Sequence, residues 1–89
     1  MTAIGVGDHL QKILLECGIV APEGCPCIEF MNQMNGWGVS GCQAHRWEIL
    51  THLQLQSKGR WLDMVNVAIH GYLNVGQLLD ESIRRASQV

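Results

Sequence analysis

Two tight pairs of soft ligands, Cys25-Pro26-Cys27 and Cys42-Gln43-Ala44-His45, lie in the middle of this chain with fourteen residues between them. No other feature limits the fold as much. Thiolate sulfur and neutral imidazole nitrogen are the donors that tetrahedral zinc prefers. If Cys25, Cys27, Cys42 and His45 close on one Zn2+, the stretch 25–45 becomes a metal knuckle that holds together without a large core. The chain has 89 residues. That is one domain near the lower end of what folds alone, where such staples are common.

The two pairs differ in geometry. Cys25 and Cys27 have only Pro26 between them, tighter than the roughly two to four residues that usually separate paired zinc ligands. Proline suits the bend this requires, because its φ is fixed and it has no N–H to satisfy. Cys42 and His45 stand at i and i+3 and would project from one face of a helix. Cys42 would sit in the first turn, where the helix dipole and free N–H groups lower a thiol pKa. Trp37 could roof the site. Four protein ligands leave no open position, so such a zinc is structural rather than catalytic. With one histidine and no four-cysteine cluster pattern, zinc is favoured over iron–sulfur. Two other readings stay open. The cysteines could be small buried apolar side chains with His45 on the surface, or Cys25 and Cys27 could be redox thiols.

Gly24-Cys25-Pro26-Cys27, Met34-Asn35-Gly36-Trp37-Gly38 and Gly41-Cys42-Gln43-Ala44-His45-Arg46 together resemble a small cysteine-rich, zinc-binding domain of uncharacterised bacterial and phage proteins. The resemblance covers about Cys17 to Leu53, with a weaker echo in Leu73 to Ala86. It implies that these residues belong to one unit and brings no activity with it.

Apolar residues recur at helical spacing, and glycines punctuate them. Leu10, Ile13, Leu14 and Cys17 predict a helix over about 8–17, capped by Asp8, with Gly18 in the left-handed closing position and Ile19 packing back. Pro22-Glu23-Gly24 reads as a turn. Cys27, Phe30, Met31 and Met34 predict a second helix over about 26–35, ended by Gly36. Ser40 and Gln43 match a capping box, so a third helix should run to about Gln56 with Ile49, Leu50 and Leu53 inward and Gly59 stopping it. Trp61, Met64, Val65, Ala68 and Ile69 predict a fourth over 60–70. Val75, Leu78, Leu79, Ile83 and Ala86 predict a fifth, opened by Asn74 with Gln77. Arg84 and Arg85 sit in its last turn, where the dipole favours cations. The expectation is an all-α single domain of four or five short helices stapled by one structural zinc, with a C-terminal helical pair over 60–86.

Hydrophobic residues make up 47% and charged residues 16%, too apolar for disorder. A net charge of −2 gives no bulk pull toward nucleic acid or anionic lipid. The most apolar window, 61–79, holds Asp63, Asn66, His70 and Asn74 and does not read as a membrane span. The start has no basic flank and no long apolar run, so a cytoplasmic setting is the default. Met31, Met34 and Met64 read as core, Cys17 as a buried thiol, and His9, His52 and His70 as surface residues. Trp47 and Trp61 are core fillers or, more sharply, aromatic protein-binding anchors. Nothing resembles a phosphate loop, a nucleophile elbow or a carboxylate pair.

These features favour a non-catalytic, zinc-stabilised helical module that binds another protein or self-associates. Its expected anchors are Trp61, Met64, Leu78 and Leu79, on the helices outside the knuckle. A nucleic-acid-binding regulatory zinc domain using Arg46, Lys58, Arg60, Arg84 and Arg85 is the alternative. A thiol redox protein is the second alternative.

Overall fold

A computed structural model describes residues 5–20, 26–58 and 61–88. Among the described residues the protein is all-α and has no strand. Its helices are α1 (Val6–Glu16), α2 (Pro26–Ala44), α3 (Arg46–Lys58), α4 (Met64–Ile69) and α5 (Val75–Ser87). The turn expected at 22–24, the expected metal ligand Cys25 and the stop expected at Gly59 fall outside the described residues.

Helix α1 begins earlier than Asp8. Its N-cap is Gly5, which has no side chain to cap with. Asn35 of α2 supplies the missing acceptor, its Oδ1 taking the Asp8 backbone N–H at 3.0 Å while its Nδ2 donates to the Asp8 carboxylate at 3.1 Å. The Asp8 carboxylate in turn accepts from the Gly5 N–H at 3.3 Å. The helix start is therefore satisfied from across the fold rather than locally. The two helices can meet this closely because position 7 is glycine. A Cβ there would lie 1.9 Å from the Met31 carbonyl oxygen. The far end of α1 closes as expected. Gly18 has φ 78°, Gly18 N–H donates to Leu15 at 2.9 Å and Ile19 N–H to Leu14 at 2.8 Å. That pair of bonds is a Schellman motif, and Ile19 packs into the core.

Helix α2 is two helical pieces joined at Gly38, whose φ of 71° and ψ of −172° break the helix. This conformation is essentially confined to glycine. The break therefore falls at Gly38, two residues before the expected Ser40 cap, because a glycine that can leave the helix decides the corner. Beyond it the backbone ladder runs on through His45. His45 N–H donates to Gly41 at 2.9 Å and Ile49 N–H to His45 at 3.1 Å. The third predicted helix is thus present as the end of α2 continued by α3.

Helix α4 is shorter than the sequence suggests because Asp63 caps it, its carboxylate accepting from Val65 N–H at 3.0 Å. In α5 the expected cap is present. Asn74 Oδ1 accepts from Gln77 N–H at 3.0 Å and Gln77 Oε1 from Leu73 N–H at 2.7 Å. The helices enclose one core. Leu10, Ile13 and Leu14 of α1 meet Met31 and Met34 of α2, Ile49 and Leu53 of α3, Leu62, Val67 of α4, and Leu78, Leu79 and Ile83 of α5. Helix α5 packs chiefly on α1 and then on α3 and α2. The apolar stripe of α5 thus faces α1.

Candidate functional site

The predicted metal ligands fall in different surroundings. Cys27 is buried and disulfide-bonded, so its sulfur is not a thiolate in this structure. Cys42 is a free thiol, fully buried, with Sγ donating to the Met34 carbonyl at 3.4 Å. Burial pushes its pKa up to about 11, opposite to the lowering expected for a cysteine near a helix start. Desolvation of the thiolate outweighs any help from the helix end. His45 is half exposed. Its Nδ1 lies 3.0 Å from the Glu48 carboxylate, and its ring stacks on Trp37 at 4.1 Å between centroids. Among the described residues no group of three or more His, Cys, Asp or Glu side chains is placed to hold a metal ion. The remaining expected ligand, Cys25, lies outside the described residues.

An aromatic stack occupies the region instead. His45 lies flat on Trp37, Trp37 meets Phe30 edge-on at 5.8 Å, and Phe30 lies flat on His52 at 4.2 Å. The bend at Gly38 makes this possible by folding the chain after Trp37 back along the helix that carries Phe30. Trp37 thus covers one ring face of His45 by stacking. His52 is not the surface residue the sequence suggested. Its Nε2 is buried without a hydrogen-bond partner, and burial lowers its pKa. Both ring nitrogens of His9 are likewise buried without a partner.

The expected protein-binding anchors also need correction. Leu78 and Leu79 are 0% exposed and form part of the core, so neither can present itself to a partner. Trp61 is part-buried, and its indole N–H donates to Gln56 at 2.6 Å. Met64 packs against the core as well. The large exposed apolar side chains are others. Trp47 is 82% and Leu55 58% exposed on α3, while Val65, Ile69 and Leu73 stand out around α4, and Leu15 and Val20 at and beyond the end of α1. Trp47, Thr51 and Leu55 recur every four residues along the outer side of α3. With Glu48, His52 and Phe30 they line a shallow groove. The four-residue spacing was visible in the sequence. Nothing there said that this face points outward, because Ile49 and Leu53 make an equally good inward stripe.

Three arginines are engaged. Arg46 makes a two-pronged contact with Asp80, Arg84 binds Glu81 and Arg85 binds Glu16 at 3.1 Å through two nitrogens. Hydrogen bonding to these arginines holds the Glu16 and Glu81 carboxyls below the usual range. Among the described residues no helix is long and apolar enough to cross a membrane.

No family model, no curated protein and no solved structure matches this chain.

Proposed function

We propose that this protein is a non-catalytic helical module that acts by docking onto protein through an apolar helix face. One observation carries the reading: Trp47 stands 82% exposed on the rim of a groove floored by Phe30, His52 and Leu55. An exposed tryptophan beside an apolar recess is the composition of an interaction hot spot. The nucleic-acid alternative draws less support. Arg46, Arg84 and Arg85, three of the cations it needs, are each committed to a carboxylate of the same chain.

For the zinc staple at Cys25, Cys27, Cys42 and His45 the support is the spacing. It requires reduced Cys27, since metal ligation needs a thiolate. The redox alternative gains from the same residue, because Cys27 is disulfide-bonded. Zinc content measured after reduction separates the two. One metal per chain supports the staple. Metal-free protein whose Cys27 cycles between thiol and disulfide supports the redox reading.

The docking reading is tested by placing a photo-crosslinking amino acid at position 47 of the full chain in cells. A protein adduct formed from position 47, and absent when the probe sits at the polar, exposed Gln88, is the expected result. No adduct from position 47, together with salt-dependent retention of the purified protein on DNA or RNA, would replace this reading with the nucleic-acid one.

A further inference from the structure

The floor of the groove beside Trp47 contains a titratable ring. His52 lies flat on Phe30, with 4.2 Å between centroids and 7° between planes, and lines the groove with Phe30, Trp47 and Leu55. Its Nε2 is buried and has no hydrogen-bond partner. The polar side chains of the groove are committed elsewhere. Thr51 donates its hydroxyl to the Trp47 carbonyl at 2.8 Å, and the Glu48 carboxylate lies 3.0 Å from His45 Nδ1. We infer that docking in this groove is proton-linked: an apolar protein segment is held while His52 is uncharged and is released when His52 takes up a proton. This rests on the reading of the chain as a protein-docking module and adds the regulation of that site.

A neutral imidazole carries one N–H and one lone pair, whereas the charged ring carries two N–H groups. Protonation therefore puts a donor on Nε2, where no acceptor waits. The stack on Phe30 does not itself oppose the charge, because a cation is attracted to an aromatic face. The stranded donor does, since a buried polar group without a partner is costly and a charged one more so. A charged His52 must turn its Nε2 edge to water and leave Phe30. Nothing nearby relieves this. Burial is what lowers the His52 pKa. Glu48 on α3 is the charged residue lining the groove, and it is bonded to His45. From α2 the uncharged ring of Phe30 meets His52, and Glu29, its neighbour in sequence, is exposed.

His45 is the contrast. It too lies flat on an aromatic ring, that of Trp37, but it is half exposed and its Nδ1 faces the Glu48 carboxylate. A charged ring there keeps both partners, so the device sits at His52 alone. Because Thr51 and Glu48 are bonded within the chain, the groove offers an occupant chiefly apolar surface, which is why the occupant is an apolar segment. Seated across Trp47 and Leu55, that segment displaces the water a charged His52 would turn to. The bound state then excludes the proton more strongly than the free state. By linkage, affinity falls by up to about tenfold for each pH unit below the pKa of His52 in the free protein.

Two measurements on the full chain test this. Nuclear magnetic resonance across about pH 5–8 should show His52 titrating below about 6.5, the ordinary histidine value. The Overhauser contacts between the His52 and Phe30 rings should be lost over the same midpoint, while those between His45 and Trp37 remain. The yield of protein adduct from a photo-crosslinking residue at position 47, measured in cell extract over the same pH range, should fall with that midpoint. His52→Phe keeps a ring on Phe30 without a titrating group and should hold the yield level. His52→Gln, which also cannot charge, serves as the second variant should the larger ring disturb the fold. His52–Phe30 contacts that survive protonation overturn the inference. So does a wild-type yield that is flat with pH, or a fall that persists in both variants, and these leave the docking reading standing. No adduct at any pH overturns the docking reading and its regulation together.

Discussion

Helices α3 and α5 are each thirteen residues long, and folding treats them oppositely. In α5 the apolar residues Val75, Leu78, Leu79 and Ile83 make one stripe, all buried, and the outer side carries Asp80, Glu81 and Arg84. In α3 the apolar residues are spread around the helix, so Ile49 and Leu53 are buried while Trp47 and Leu55 stay in solvent. The same number of residues thus yields one helix completed by the monomer and one half covered. Apolar content alone does not decide how much of a helix is covered. The angular distribution does.

The largest expected effect breaks that contrast at its centre. Leu79→Ala should destabilise the monomer by about 2–5 kcal/mol, as cavity formation in a packed core does. Leu55→Ala on α3 should change monomer stability by no more than about 0.5 kcal/mol. Urea unfolding at low protein concentration reads both, and equal losses would mean that Leu55 is covered within the monomer.

The next effect concerns how α3 is set in place. Gly38→Ala forces a side chain into a backbone conformation essentially reserved for glycine and should cost about 1–3 kcal/mol. It should also disturb the stack of Phe30 and Trp37, visible as a change in near-ultraviolet circular dichroism. Gly36→Ala, where a Cβ meets nothing within 4 Å, is the control that should leave that signal alone.

Smaller again is the difference between the two helix starts. Asn74→Ala removes the acceptor for Gln77 N–H and should lower stability by about 1 kcal/mol. Ser40→Ala should do almost nothing, since Gly38 and not Ser40 makes the break. A matching loss at Ser40 would restore the capping box read from the sequence.

The smallest effect is in pH. The His52 pKa is lowered by burial in the fold, so below about pH 6.5, the ordinary histidine value, the unfolded chain binds a proton that the native chain does not. Stability should therefore fall as pH drops through about 6.5 and level off below the folded-state pKa. The difference between wild-type and His52→Gln unfolding midpoints across pH 5–8 should show this step. Helix α5 has no histidine. Its ion pairs respond lower, because Glu16 and Glu81 are held below the usual range by arginines. Their contribution is present above about pH 4.5 and is lost as pH falls through their folded values.

How much was legible in the sequence follows the range of the interaction. The Gly18 closure, the Asn74–Gln77 cap and the helical placement of Met31 and Met34 were all readable, because each depends on residues within a turn or two of one another. The burial of Leu78 and Leu79 was misread as a docking surface. Periodicity shows that residues share a face, and it is silent on whether that face points inward. The expected ligand set rests on the same kind of signal. Spacing shows that Cys42 and His45 share a helix turn, yet the fold sends the Cys42 thiol to the Met34 carbonyl and the His45 ring to Trp37.

The sequence by itself determined an all-α domain and the residues that open and close several of its helices. Caps, glycine conformations and the 3.6-residue repeat act over a few bonds and are written in neighbouring letters. Tertiary structure alone decided that Asn35 would cap α1 from another helix, that Gly7 would admit the Met31 carbonyl, and that Trp47 rather than Leu78 would meet the solvent. Each of those depends on which surfaces come together across the fold, and burial is a property of that arrangement rather than of the residue that undergoes it.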